Sequence, residues 1–316
     1  MNRLLALIQR EYWENRGALR TTPLVVGGLY LLGTLMSLAT AIYFDNELFT
    51  VREALFGLSQ VPEASRSQII YNINLFGGSF LFTLVLGFVV FFYLLGALFD
   101  DRKDRSILFW KSLPASDLQT LLSKLLTAMV VAPLIFWAVY VLTQLLTGLI
   151  TAGLVAYAGE NPWTLLISAS NPVKAWLLVL ASWLSQAIWA LPIYGWLLLV
   201  SAYAPRIPLL FALLPPLAFA VLQLWLDFLR TFTLQENLFG LLGRWFANSP
   251  LILTADDKDD RVEIALGIPV NAQFDHSVTL GNMLDRLISM DMLWGLLIAI
   301  ALLTGALWLR RRATES

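Results

Sequence analysis

The chain has 316 residues, 58% of them hydrophobic, 13% aromatic and only 14% charged, whereas soluble domains average about 45–50% apolar and about 25% charged. Uncharged apolar runs of about twenty residues recur along it, which excludes an ordinary soluble fold and makes the chain a polytopic, all-α membrane protein. A net charge of −1 points to no nucleic-acid partner, and the absence of cysteine excludes disulfides, thiolate metal sites and cysteine nucleophiles.

In chain order, residues 1–20 come before the first apolar run. At about 100° per residue, Met1, Leu4, Leu5, Ile8, Tyr12 and Leu19 share one arc, while Arg3, Gln9, Arg10, Glu14, Arg16 and Arg20 lie elsewhere. Glu11 is the exception, at the edge of the apolar arc. The pattern predicts an amphipathic helix suited to the membrane interface. Residues 22–44 form the first span, about 35 Å long against a hydrocarbon core of about 30 Å. Ala39-Thr40-Ala41 resembles a signal-peptidase site, but Glu11 and Glu14 upstream and the length of the apolar run argue against cleavage.

Residues 45–74, with Pro62 and the acids Asp45, Glu47, Glu53 and Glu63, read as an external loop, and 75–99 as the second span. The third span, 121–158, is long for one crossing, so its first turns extend out of the membrane or it is tilted. Turn signals at Asn161-Pro162 and Asn171-Pro172 precede a fourth span at 175–203. Ala204-Pro205-Arg206 is a tight turn before a fifth span at 207–226, which Pro215-Pro216 is expected to break or kink. Residues 227–290 are a large external loop containing an apolar stretch (232–246) and an acidic turn (256–260). The sixth span is 292–309, ended by Arg310, Arg311 and Arg312.

The distribution of Lys and Arg orients these spans. With both termini inside, the inner segments hold 13 of the 21 basic residues and the outer loops hold 8, diluted among acids. Six spans, N-in and C-in, satisfy that rule.

The segment 100–120, between the second and third spans, is the most informative. Asp100, Asp101, Arg102, Lys103, Asp104 and Arg105 carry mixed charge, with Asp101 and Arg105 spaced to pair if the helix continues. Ile107, Leu108, Phe109, Trp110 and Leu113 are large apolar side chains flanked by charge, a combination that marks an interface or a helix tucked into lipid. Pro114 stops this piece. Ser116 and Gln119 have capping-box spacing, with Asp117 in the first turn, so a new helix starts there.

REYWENR (residues 10–16) and DDRKDRSILFWKSLPASD (residues 100–117) resemble the permease subunits of type-2 ABC transporters, and the six spans, leading helix and large loop before the last span fit that family over essentially the whole chain. The resemblance implies a cytoplasmic coupling loop at 100–120 and a permease of a bacterial cytoplasmic (inner) membrane that exports its substrate by alternating access. It also implies two partners, a nucleotide-binding ATPase subunit that uses ATP and Mg, and a second permease subunit, identical or paralogous. By resemblance, Glu11, Tyr12 and Trp13 belong to one ATPase contact. Arg105, Ser106, Leu108, Phe109, Trp110, Lys111, Leu113 and Pro114 form the other. Residues 232–246 would be partly re-entrant outer helices.

No G-x-x-x-x-G-K-[ST] phosphate loop occurs, so ATP hydrolysis is expected in a partner and not in this chain. The ionisable residues Lys124, Lys174, Asp227 and Asp291 sit near span ends, which argues against an ion-coupled carrier. Thr34, Ser37, Gln144, Ser182, Ser185, Gln186 and Gln223 lie within spans, where such groups join helices or touch substrate. Gln144, Trp183, Gln186, Trp189 and Gln223 are the candidate substrate pathway. Trp176, Trp196, Trp225, Trp294 and Trp308 sit near span ends as interfacial belt residues. His276 alone makes no metal site. The alternative function is a membrane-embedded enzyme or envelope-assembly protein using Asp256, Asp257, Asp259, Asp260 and Glu263 of the outer loop; a further one is a regulatory subunit that binds an ATPase and translocates nothing.

Overall fold

A computed structural model of the protein describes residues 3–43, 62, 77–103, 116–157, 159, 161–167, 171–228 and 280–312. There is no strand among the described residues. The helices are α1 (Arg3–Glu14), α2 (Thr22–Tyr43), α3 (Ser79–Ala97), α4 (Phe99–Lys103), α5 (Asp117–Leu126), α6 (Ala132–Tyr157), α7 (Pro172–Trp189), α8 (Leu191–Tyr203), α9 (Pro208–Phe228), α10 (Leu280–Leu287) and α11 (Met290–Arg312). Single π-helical turns, Gly17–Thr21 and Thr127–Val131, join α1 to α2 and α5 to α6.

Among the described residues, five helical stretches are long and apolar enough to cross a membrane, namely Gly17–Thr40, Ser79–Lys103, Asp117–Tyr157, Pro208–Leu226 and Met290–Arg312. The bent pair α7–α8 makes a sixth if it counts as one span. Their length and composition are those of a multi-pass membrane protein. The long third span is a single 41-residue helical stretch, whose first turns, in α5, are amphipathic.

The break expected at Pro215-Pro216 and the continuity expected of the fourth span are corrected. Pro215 and Pro216 lie inside a continuous α9. A helical proline lacks the N–H that would serve the carbonyl four residues back, which for Pro216 is Ala212. Here the Trp196 indole N–H, from α8, donates to the Ala212 oxygen at 3.1 Å. A neighbouring helix thus replaces the lost bond, so the helix continues. The fourth span, expected to be continuous from 175 to 203, is instead bent by 56° at Ala190. Pro192, in the first turn of α8, removes a helical N–H there and crowds the carbonyl of Ile188.

Trp196→Phe is therefore expected to destabilise the protein by about 0.6–1 kcal/mol, the worth of one such bond. Pro216→Ala restores a helical N–H to the same carbonyl. Melting midpoints in mild detergent should drop for Trp196→Phe and largely recover in the double variant.

The chain forms two compact units, one of Met1–Glu14, Val89–Val131 and Ser182–Ser316, the other of Asn15–Phe88 and Ala132–Ala181. In the second unit α2 packs along α6, so closely that a Cβ on Gly27 would lie 2.6 Å from Thr143 Oγ1. Phe82 and Tyr140 meet edge to face, 5.6 Å between centroids. The hydroxyls of Thr34, Ser37 and Thr143 donate to carbonyls four residues back in their own helices. Thr34 and Ser37, expected to join helices or touch substrate, are satisfied locally, as hydroxyls in an apolar medium commonly are.

In the first unit α8 and α11 form the most extensive helix pair. A Cβ on Gly195 would meet Leu302 Cβ at 3.1 Å, and one on Gly305 would meet Leu199 Cδ1 at 3.1 Å, so the glycines set how near the two axes come. Trp225, Trp294 and Trp308 are exposed near helix ends, as belt residues are.

Candidate functional site

The site is built on α1, α4, α5 and α11, all in the first unit. The Ser116–Gln119 capping box forms: the Gln119 N–H donates to Ser116 Oγ, and the Ser116 N–H to Gln119 Oε1, both at 3.2 Å. This fixes where α5 begins and puts Asp117 in its first turn. The buried face of α5 carries Thr120, Leu121, Lys124 and Leu125, so Lys124 shares the apolar side of its helix. α1 packs along α5, with Leu4, Leu7 and Ile8 half-buried and Glu11 only 1% exposed. Leu5, which shares the apolar arc, is exposed. An acid on one apolar face thus meets a lysine on another.

Lys124 Nζ lies 3.1 Å from Glu11 Oε1 and 3.5 Å from Asp101 Oδ2. Arg310, in the last turn of α11, reaches Asp101 Oδ2 with Nη1 at 3.2 Å and Asp117 Oδ1 with Nε at 3.1 Å. Arg10 bonds Glu14 Oε1 at 2.7 Å and holds Nη2 3.8 Å from Asp101 Oδ1. The Tyr93 hydroxyl donates to Glu11 Oε2 at 2.9 Å. Glu11, Asp101, Lys124 and Arg310 are all buried. Charges taken out of water need close opposite partners and hydrogen bonds, and here Lys124 and Arg310 balance Glu11 and Asp101. This arrangement holds chain segments together.

A second set of bonds fixes α4. Ser201 Oγ accepts the N–H groups of Leu98 and Phe99, at 2.9 and 3.0 Å, where α3 gives way to α4. Arg102 donates to the carbonyls of Ser201 and Ala204, at 2.9 and 2.8 Å. Pro205 has no N–H to give Ser201, so the guanidinium supplies the missing donor and places positive charge at the α8 C-terminus.

The expected ATPase-contact residues divide. Glu11 is engaged inside by Lys124 and Tyr93, Tyr12 is half-buried, and Trp13 is 56% exposed with its ring edge-on to Tyr12 at 5.5 Å. Arg105, Ser106, Leu108, Phe109, Trp110, Lys111, Leu113 and Pro114 lie outside the described residues. So do 232–246, the acids from Asp256 to Glu263, and His276. Asp101, spaced to pair with Arg105, has its carboxylate among Lys124, Arg310 and Arg10. Among the expected pathway residues, Trp183, Trp189 and Gln223 are buried in the first unit and Gln186 is half-buried there. Gln144 is buried in the second unit against Gly78, where a Cβ would come within 2.7 Å of its Nε2. Sequence reasoning missed Asp101, Lys124 and Arg310 as one cluster. The signal was Glu11, the acid out of place on an apolar arc.

No family model, curated protein or solved structure matches the chain.

Proposed function

We propose that this chain is the membrane-spanning permease subunit of an ATP-driven exporter of the type-2 ABC kind. A separate ATPase docks on the cytoplasmic segment 100–117 and on the outward face of α1. Two permease subunits pair, and ATP-driven closure of the ATPase pair switches them between inward- and outward-facing states. With both termini inside, the charge cluster lies at the cytoplasmic face.

The observation that carries this reading is the mounting of the segment that bears the resemblance. Asp101 near its start, Asp117 at its end and Lys124 just beyond it are tied into one buried cluster together with Glu11 of the N-terminal helix. A push from a docked protein needs a stiff base of this kind, because a compliant one would absorb the motion. Trp13, exposed on α1 opposite the buried Glu11, is an aromatic side chain available for a partner.

The test is affinity purification of the tagged chain from its native membranes in mild detergent. A soluble protein with a phosphate loop should copurify in a fixed ratio. Recovery of the chain alone would remove the proposal.

A further inference from the structure

We propose that the Gln144 carboxamide and the start of α3 form a binding site for the phosphate head of a membrane phospholipid. Gln144 is 8% exposed. A carboxamide carries two N–H donors and an acceptor oxygen, and a buried one ordinarily uses them. Among the described residues, no group is placed to accept a hydrogen bond from Gln144 Nε2. The Tyr140 hydroxyl, one turn earlier on α6, interacts with the carboxamide without meeting that need. A buried donor without an acceptor is costly. For packing alone a leucine would fill this place without that cost.

The atom lies against a second set of donors. Nε2 is 2.7 Å from the point where a Cβ on Gly78 would stand, and Tyr140 Cε2 is 3.4 Å from it. Gly78 immediately precedes α3, and its carbonyl accepts the Phe82 N–H at 3.4 Å. The N–H groups of a helix's first turn have no acceptors within the helix, and together with the helix dipole they favour the oxygens of an anion. Because Gly78 has no side chain, nothing stands between the carboxamide and this backbone. One phosphate here can accept from Nε2 and from the first turn of α3 at once.

Depth selects the source of that phosphate. α3 has 19 residues, a length of about 28 Å. The charged residues from Asp100 onward mark one edge of a hydrocarbon core about 30 Å thick. Gly78 therefore stands at the opposite edge, where lipid head groups begin. Phe80, Leu84 and Phe88, each exposed and four residues apart, run from there along one side of α3, a path for an acyl chain. The site lies within the second unit and does not depend on the docking of an ATPase.

The test uses the purified full chain, freed of lipid in dodecyl maltoside and titrated with dioleoylphosphatidylglycerol while hydrogen exchange is read at residues 79–82. Exchange there should slow several-fold in the wild type. Gln144→Leu should need on the order of tenfold more lipid for the same protection, the loss of one hydrogen bond to a charged group. Its melting midpoint without lipid should match or exceed that of the wild type. Gln144→Glu, which sets a carboxylate against the phosphate, should remove the protection. Glycerol phosphate, a head without chains, and dioleoylglycerol, chains and esters without phosphate, should each give none. Undiminished protection of Gln144→Leu would overturn the site, and so would its unfolding without lipid, which would show that the carboxamide serves the fold. Protection by dioleoylglycerol would overturn the phosphate, and protection by glycerol phosphate would overturn the assignment to a lipid.

Discussion

Lys124→Met is expected to be among the most destabilising single substitutions in the protein. It removes the ammonium that Glu11 and Asp101 share, at 3.1 and 3.5 Å, from a buried Glu11 that also accepts the Tyr93 hydroxyl. Asp101 still has Arg310 and, more distantly, Arg10. Breaking a buried ion pair by removing one partner costs about 3–5 kcal/mol, because the surviving charge keeps its desolvation penalty and loses its compensation. The melting midpoint in detergent should fall by several degrees. Glu11→Gln alone should also destabilise, since Lys124 then has only Asp101, which Arg310 already engages. The informative variant is the pair. Lys124→Met with Glu11→Met removes one charge of each sign, keeps Asp101 with Arg310, and fills the space with apolar volume. It should be markedly more stable than Lys124→Met. If the two single effects simply add in the double variant, the residues are not coupled and the cluster is not the unit described here.

The stability of this cluster and the packing of α1 are one fact seen twice. α1 has too few apolar residues on its inner side to hold a helix onto the bundle unaided. Leu4, Leu7 and Ile8 are only half-buried, and the fourth position of that stripe is an acid. Glu11 takes its place because Lys124 occupies the matching position on α5. Neutralising Glu11 should therefore loosen α1 before it affects the spans.

That pairing marks where the sequence was readable and where it was not. Apolar runs gave the spans because a helix in lipid must satisfy its own backbone and present carbon to its surroundings, both local requirements. The start of α5 was equally local, since Ser116 and Gln119 cap each other three residues apart. The abnormality of Glu11 was visible, but its partner was not. Lys124 is more than a hundred residues away, and nothing along the chain says which of the basic residues an acid will meet. The proline errors have the same origin. Pro215-Pro216 is the stronger breaking signal by composition, yet Trp196 supplies a donor across helices, whereas the single Pro192 coincides with the bend. Whether a proline breaks a helix depends on what stands next to the freed carbonyl, which is tertiary information.

Phe109→Ala with Trp110→Ala is expected to abolish copurification of the ATPase while leaving the chain inserted and folded. The two residues lie in a segment whose sequence is apolar but flanked by Arg105 and Lys111, outside every apolar run long enough to span a membrane. Large aromatics at the centre of an interface dominate its energy, commonly about 2 kcal/mol or more each on truncation to Ala. Losing both should weaken binding by roughly a thousandfold on that scale, since every 1.4 kcal/mol is about tenfold. The contrast with Lys124→Met separates two roles. The aromatic double variant should keep the wild-type melting midpoint and lose the partner. Lys124→Met should lose stability first, and the partner only as its base loosens. Trp13→Ala, at the exposed position on α1, should weaken binding less, because in the proposed docking it lies at one edge of the surface. Full-strength ATPase binding by the aromatic double variant would show that the docking surface lies elsewhere. The buried cluster would then hold the ends of the segment together for some purpose other than receiving a push.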